Sequence, residues 1–350
     1  KEKHGIFYSF MLPKTSGYEK YYTNAVAVRN AGVELALVAR VLPATSKWQW
    51  NINANISYNK NQIMQLPDGN KTVVEDNRYL MVGQPINSFR LSQYNGIYLN
   101  EDMIPFDPYT GLKYKNESGQ YVQVGWADYE DVDKDNQYVS WKDKKPIGDP
   151  NPKWVGGLNT NLSYGPWSLF VQTSFTLGRD ILNTQFAKTM APLSAQYGAD
   201  EEGVGFSGGP GANYANPADG HWYYAEDFVA RRMMVDLSRY SFWQKDGDNT
   251  NYPSRSQYMN NNNFIERSSL FLENGSYLKL NTIMLSYNLD KLKKWGINNA
   301  RLSLTAENVA IIKSKNTLAA DPSNVSPDGY YTGNGYGLPR KFTIGLMFDF

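Results

Sequence analysis

The residues whose types and spacing could do chemistry are few. Asp131, Asp133 and Asp135 alternate within DVDKDN, the spacing at which the first half of an EF-hand loop offers carboxylates to calcium. The pattern then departs from that loop: Asn136 stands where glycine makes the sharp turn, and Lys142 falls where a bidentate Glu would complete the shell. Asn tolerates the left-handed backbone, so the turn is better preserved than the last ligand. A solvated acidic loop is the competing reading.

The 350 residues contain no Cys and only His4 and His221. That excludes disulfides, thiol nucleophiles, thiolate zinc or iron–sulfur sites and multi-histidine metal centres. His221 is followed by Trp222, Tyr223, Tyr224, Glu226 and Asp227, yet paired carboxylates are common in any long polar segment. No nucleophile–base pair and no phosphate-binding glycine loop accompanies them, so catalysis is not expected. Rings beside amides and carboxylates instead suit capture of sugars or peptides, which makes Trp222, Tyr223, Tyr224 and Trp243 the candidate ligand- or partner-binding residues.

The elements that must position these residues repeat every two positions. From Trp48 one face reads Trp48, Trp50, Ile52, Ala54, Ile56, Tyr58 and the other Gln49, Asn51, Asn53, Asn55, Ser57, Asn59, which is strand alternation with one greasy and one amide-rich face. The last residues repeat it, with Phe342, Ile344, Leu346, Phe348 and Phe350 on one side. Similar runs begin at Ile6, Val33, Trp154, Trp167, Tyr277 and Ala300. Runs of about 10 to 13 residues match tilted strands that cross a bilayer, and Trp48, Tyr58, Trp154, Tyr164, Trp167 and Tyr287 fall where aromatic girdles belong. Trp50, Ile52, Ile56, Leu158, Leu162, Leu169, Val171, Ile344, Leu346 and Phe348 are therefore expected to face lipid. Mean hydropathy of −0.56 beside 14% aromatics fits such a barrel, because a strand needs no long apolar run to span. Lys plus Arg number 35 against 34 Asp plus Glu, so no global field recruits nucleic acid.

Connections alternate in length. Leu42–Lys47, Gly165-Pro166 and Asp290–Asn299 are short; Asn100–Pro152, Gly178–Gly275 and Lys313–Pro339 are long. Short periplasmic turns and long external loops are the outer-membrane pattern. Counting a further strand over Lys71–Gly83 gives about ten, with the first rising from the periplasm and the last returning to it. The nearly hundred-residue Gly178–Gly275 segment, rich in Gly, Asn, Trp and Tyr, is too long for a mere connector and reads as a folded external excursion.

The order of motifs then resembles one family, the SusC/RagA-like TonB-dependent outer-membrane transporters of Bacteroidetes-type bacteria. Asn24–Glu34 (NAVAVRNAGVE) and Asn59-Lys60-Asn61-Gln62-Ile63 match its N-G-V-x-N-x-G-V-E and N-K-N-x-I; Val82–Ile86, Ser88-Phe89 and Tyr94–Ile97 match V-G-x-P-x-x-S-F…Y-x-G-I. Ile147–Lys153 is close to I-G-N-P-x-P-K, Asn274–Leu280 to N-A-S-Y-L-R-L, Leu285–Leu289 to L-x-Y-x-L-P, Leu304–Val309 to L-x-G-Q-N-L, and Pro339–Leu346 to the closing P-R-x-x-x-x-G-L. The acidic loop differs from the family's D-x-N-G-D-G at Asn136.

The resemblance implies an all-β, antiparallel transmembrane barrel, with this chain as the C-terminal part of a twenty-two-stranded whole whose plug and N-terminal domains it does not include. It implies active import of a large nutrient, oligosaccharide or peptide, under a SusD-like surface lipoprotein, with energy from TonB acting on the plug, in a dimer of SusC–SusD pairs. It also implies that the terminal Phe350 is an assembly signal. No cofactor is expected beyond the possible calcium ion. A passive porin-like barrel and a surface glycan-binding β protein are the alternatives.

Overall fold

The structure, a computed structural model, describes residues 2–11, 14–18, 20–75, 78–107, 109–117, 119–190, 213–215, 222–224, 252–253, 265–289, 299–333 and 338–349. Trp243 and Phe350 lie outside the described residues, and of Trp222, Tyr223 and Tyr224 only the backbone strand is described.

Eight long strands form one sheet: β1 (Glu2–Met11), β2 (Lys20–Arg40), β3 (Trp48–Gln65), β4 (Trp154–Tyr164), β5 (Trp167–Leu177), β6 (Tyr277–Asn288), β7 (Asn299–Lys313) and β8 (Lys341–Asp349). Each pairs antiparallel with its sequence neighbours, so spatial order is chain order. The topology of a barrel wall follows from the turns. Gly165 supplies a backbone at φ 55° beside Pro166, and this two-residue link keeps β4 and β5 in register from Trp154↔Leu177 to Tyr164↔Trp167.

Register converts the sequence alternation into continuous rows. Trp50, Leu162, Leu169, Leu285, Leu304 and Ile344 are successive partners across the sheet. The neighbouring row joins Trp48, Tyr164, Trp167 and Tyr287. Rings in that row meet at 4.5 Å (Trp48–Tyr164) and 4.7 Å (Trp167–Tyr287), and Tyr58 and Trp154 meet at 4.7 Å near the opposite end. From Trp154 to Tyr164 a strand advances about 33 Å, which at a tilt of roughly 40° is about 25 Å along the membrane normal, the height of an outer-membrane apolar band. Trp50 donates its indole N–H to Thr160 Oγ1 at 2.7 Å, so the ring is satisfied on the greasy face.

Two expectations are corrected. Residues 71–83 add no spanning strand; they hold only Val73–Glu75 and Arg78–Leu80, in a small sheet with Phe89–Leu91 and Lys145–Ile147. The chain leaves β3 through Asp68 (φ 54°), Gly69 (φ 74°) and Asn70 (φ 64°), and Leu80 turns inward on Val26, Val28, Ile63 and Leu66. That packing makes these residues cover for the end of the sheet rather than another stave. Among the described residues the main sheet therefore has eight strands rather than about ten, and eight already return the chain to its starting side. With β1 rising, residues 41–47, 165–166 and 289–298 link strands at one end, and residues 12–19, 66–153, 178–276 and 314–340 at the other.

The face assignment is testable in the full-length protein. Arg at Ile52, in the apolar row, is expected to cost about 2 to 4 kcal/mol near the midplane, whereas Arg at Asn53, on the polar face, is expected to be mild. Heat-modifiability of the assembled barrel reads both, and equal damage at the two positions would contradict the assignment.

Candidate ligand-facing site

The polar face of the sheet is as regular as the apolar one. Asn53, Asn159, Gln172, Thr282, Glu307 and Lys341 are successive cross-strand partners, ending in a Glu307–Lys341 ion pair at 3.3 Å. Beside this row runs Ala36, Asn55, Gly157 and Ser174. Gly157 has no side chain to fill the row, and a recess of about 680 Å³ opens there, lined by Asn53, Asn55, Asn159, Gln172, Ser174 and Asn281 among others. The Asn281 amide donates to Ser174 Oγ at 2.9 Å. Each amide offers two donors and an acceptor, so the wall can hydrogen-bond neutral polar groups, with Glu34 as the one carboxylate among the described residues of its lining.

At the end of the sheet where the longer connections gather, those connections are built structures. Residues 66–153 enclose an aromatic core of Tyr98, Tyr114, Trp126, Tyr129 and Tyr138 with Ile104, Val122 and Ala127. Tyr98 donates its hydroxyl to Asp128 at 2.8 Å, and burial pushes Asp128 up from the ordinary carboxylate range. Tyr129, fully enclosed, is pushed up to about 12 by burial. The core was missed in the sequence because its rings obey neither strand nor helix period; the density of Tyr and Trp between residues 94 and 138 is the signal that could have found it.

Three connections interlock through buried polar groups. Glu273 accepts from Asn183 Nδ2 at 2.8 Å and from the Ala319 N–H at 3.0 Å, joining both ends of the 178–276 connection to the 314–340 connection. Thr184 Oγ1 donates to the Tyr331 carbonyl at 3.0 Å in the same junction. Arg179 donates to the Gly275 carbonyl at 3.2 Å and to that of Pro322. The segment after β3 is tied in by the Arg78–Asp328 ion pair and by Phe89 edge-on to Tyr330 at 5.5 Å.

The acidic loop is held by its own backbone. Asp131 accepts N–H bonds from Lys134, Asp135 and Asn136; Asn136 takes positive φ, as the turn chemistry anticipated, and so does Lys134. Asp135 pairs with Lys142 at 2.8 Å, and Asp133 lies 3.5 Å from the same ammonium. The carboxylates that gather are Asp131, Asp133 and Asp143. Asp143, which the spacing did not single out, is fully buried and accepts from Val132 and Val139 at 2.9 and 2.6 Å. Lys142 stands as counter-ion between Asp133 and Asp135, while Asp131, Asp133 and Asp143 bring carboxylate oxygens within 4.8 Å of one another. The Trp222–Tyr224 backbone pairs antiparallel with Asn213–Ala215.

A sheet with one apolar, girdled face, one amide-lined face and its longer connections at one end has the architecture of an outer-membrane β-barrel wall. No protein-family model matches the chain. TonB-dependent receptor P26 of Formosa agariphila is 24% identical over 366 residues, covering 100% of this chain and 32% of that protein; TonB-dependent receptor P3 of the same organism is 25% identical over 359 residues, covering 97% and 30%. Among solved structures, the RagAB peptide importer in its open-open state superposes with TM-score 0.64 at 18% identity over 100% of this chain and 32% of that one. The RagAB peptide transporter gives 0.63 at 19%, over 99% and 32%. The chain is thus similar along its length to SusC/RagA-like TonB-dependent receptors, shares the barrel-wall fold of the RagAB structures, and spans about a third of the length of the relatives it matches.

Burial raises the Glu273 carboxyl above its ordinary 4.5. Its protonated form is thus favoured in the folded junction, so local stability is fullest below the ordinary value and falls as pH rises through the raised one. Amide-exchange protection of residues 180–183 and 272–274 is expected to increase as pH is lowered across that window. Glu273→Gln should flatten the dependence and, by turning one acceptor into a donor, loosen the junction by about 1 to 3 kcal/mol.

Proposed function

We propose that this chain forms part of an active importer that carries a large nutrient, an oligosaccharide or peptide, across the outer membrane. A SusD-like lipoprotein would close over the folded connections, in a dimer of such pairs, and TonB would supply energy from the periplasmic side. The observation that carries this reading is the asymmetry of the sheet: short turns at one end and large interlocked connections at the other, above an amide-lined wall. A passive pore needs no such superstructure. The importer and receptor names of the similar proteins support the same reading.

The Gly178–Gly275 connection is proposed to contact cargo or lipoprotein, with Trp222, Tyr223, Tyr224 and Trp243 as anchors, because aromatic residues dominate binding energy at such surfaces. Replacing these four by Ala in the full-length protein is expected to reduce growth on the cognate nutrient at least tenfold in rate while barrel levels hold. Uptake that continues in cells lacking TonB would point instead to the porin-like alternative.

Phe350 is proposed as an assembly signal, since the residues before it alternate Phe342, Ile344, Leu346 and Phe348 toward one face. Deleting Phe350 should lower the surface-labelled barrel, and Asp349→Asn should not. Normal labelling of the truncated protein would remove the assignment.

A further inference from the structure

The segment after β3 carries two cations, Arg90 and Lys144, with donor capacity that the interactions above do not use. Leu91 pairs with Lys145 and Arg90 with Pro146, so Lys144 stands beside Ser92. The Ser92 N–H donates to the Arg267 carbonyl at 3.0 Å. Arg90, Lys144 and Arg267 are thereby brought to adjoining backbone positions from three separate stretches of chain. All three side chains are partly buried.

Arg90 is held in place rather than loose. One terminal N–H donates to the Trp141 carbonyl at 2.6 Å, the guanidinium lies over the Tyr79 ring at 5.5 Å, and its Nε is buried without a partner. Lys144 has no hydrogen bond or ion pair from its ammonium among the described residues, although its neighbour Lys145 is paired with Glu130 at 2.6 Å. Glu117, whose charge acts favourably on this ammonium, is exposed and accepts from Ser140 Oγ at 2.5 Å. Burial first, then the nearby Arg90 and Arg267 charges, pull the Lys144 ammonium below its usual range. A half-buried ammonium beside guanidinium groups costs stability unless an anion completes the group.

We propose that Arg90, Lys144 and Arg267 form a binding site for a carboxylate, at the seam between the 66–153 segment and the residues that lead into β6. Arg90 offers its unpartnered Nε–H and Lys144 three donors, the combination that makes charge-assisted bonds to a carboxylate. The inference rests on the import reading and narrows it: the cargo carries an acidic group, either the uronate of an oligosaccharide or the terminal carboxylate of a peptide.

The test is calorimetric binding to the purified full-length protein with four probes: trigalacturonate, neutral galactotriose, trialanine and trialanine amide. At about 20 mM salt one acid is expected to bind and its neutral counterpart not, with affinity falling steeply at about 500 mM salt. Which acid binds distinguishes the two sources. Lys144→Gln should weaken that binding at least tenfold and Lys144→Arg should retain it, both with unchanged barrel heat-modifiability. Equal binding by Lys144→Gln, equal binding of the neutral probes, or no binding of either acid would overturn the proposal. None of these results bears on import itself, which fails separately if deleting the gene leaves nutrient uptake intact.

Discussion

A strand inside a bilayer has no water to satisfy its N–H and C=O groups, so every one of them must be matched by a neighbouring strand. In this protein that constraint sets the register, and the register sets the rest. Pairing from Ala39↔Ile52 through Thr160, Val171, Ile283, Ala306 and Phe342 keeps one face apolar across the sheet. A slip of one residue in β3 would place the amides of Asn51, Asn53 and Asn55 in lipid. Bulges between Gln172 and Thr173 partners and near Thr282 adjust the ladder without losing the faces.

The same constraint explains why the architecture changes at one end. Beyond the girdle, water satisfies the backbone again and strands may stop pairing as a meander. β2 and β3 run on past the aromatic band, and Val26, Val28 and Ile63 become a core for Leu66 and Leu80 instead of a lipid surface. Above that core the chain builds from buried rings and buried acids. Glu273 gathers backbone and amide donors from distant stretches, so a single carboxylate fastens segments that share no regular secondary structure, and Asp143 closes the loop that contains Val132 and Val139 through their backbone N–H groups.

Polar satisfaction is uneven across this superstructure, and the unevenness separates fastening from binding. Glu273, Asp143 and Arg179 are each held by at least two partners inside the chain, as structural groups should be. The amide wall around Asn53 and Gln172 and the cationic seam at Lys144 keep capacity to spare.

The amino-acid sequence by itself determined the strand class, the two faces and the girdles, because a period of two needs no tertiary information: Trp48 to Tyr58 already shows which side meets lipid. It also carried the turn at Asn136 and the family resemblance through short ordered motifs. It could not decide whether residues 71–83 cross the membrane, since apolar residues such as Leu80 look alike whether they face lipid or a small core. Nor could it show that Asp143 rather than Asp135 joins Asp131 and Asp133, that Glu273 bridges two connections, or that Lys144 lies beside Arg90 and Arg267. Those facts depend on residues far apart in the chain meeting through side-chain packing and hydrogen bonds, for which no local spacing leaves a trace.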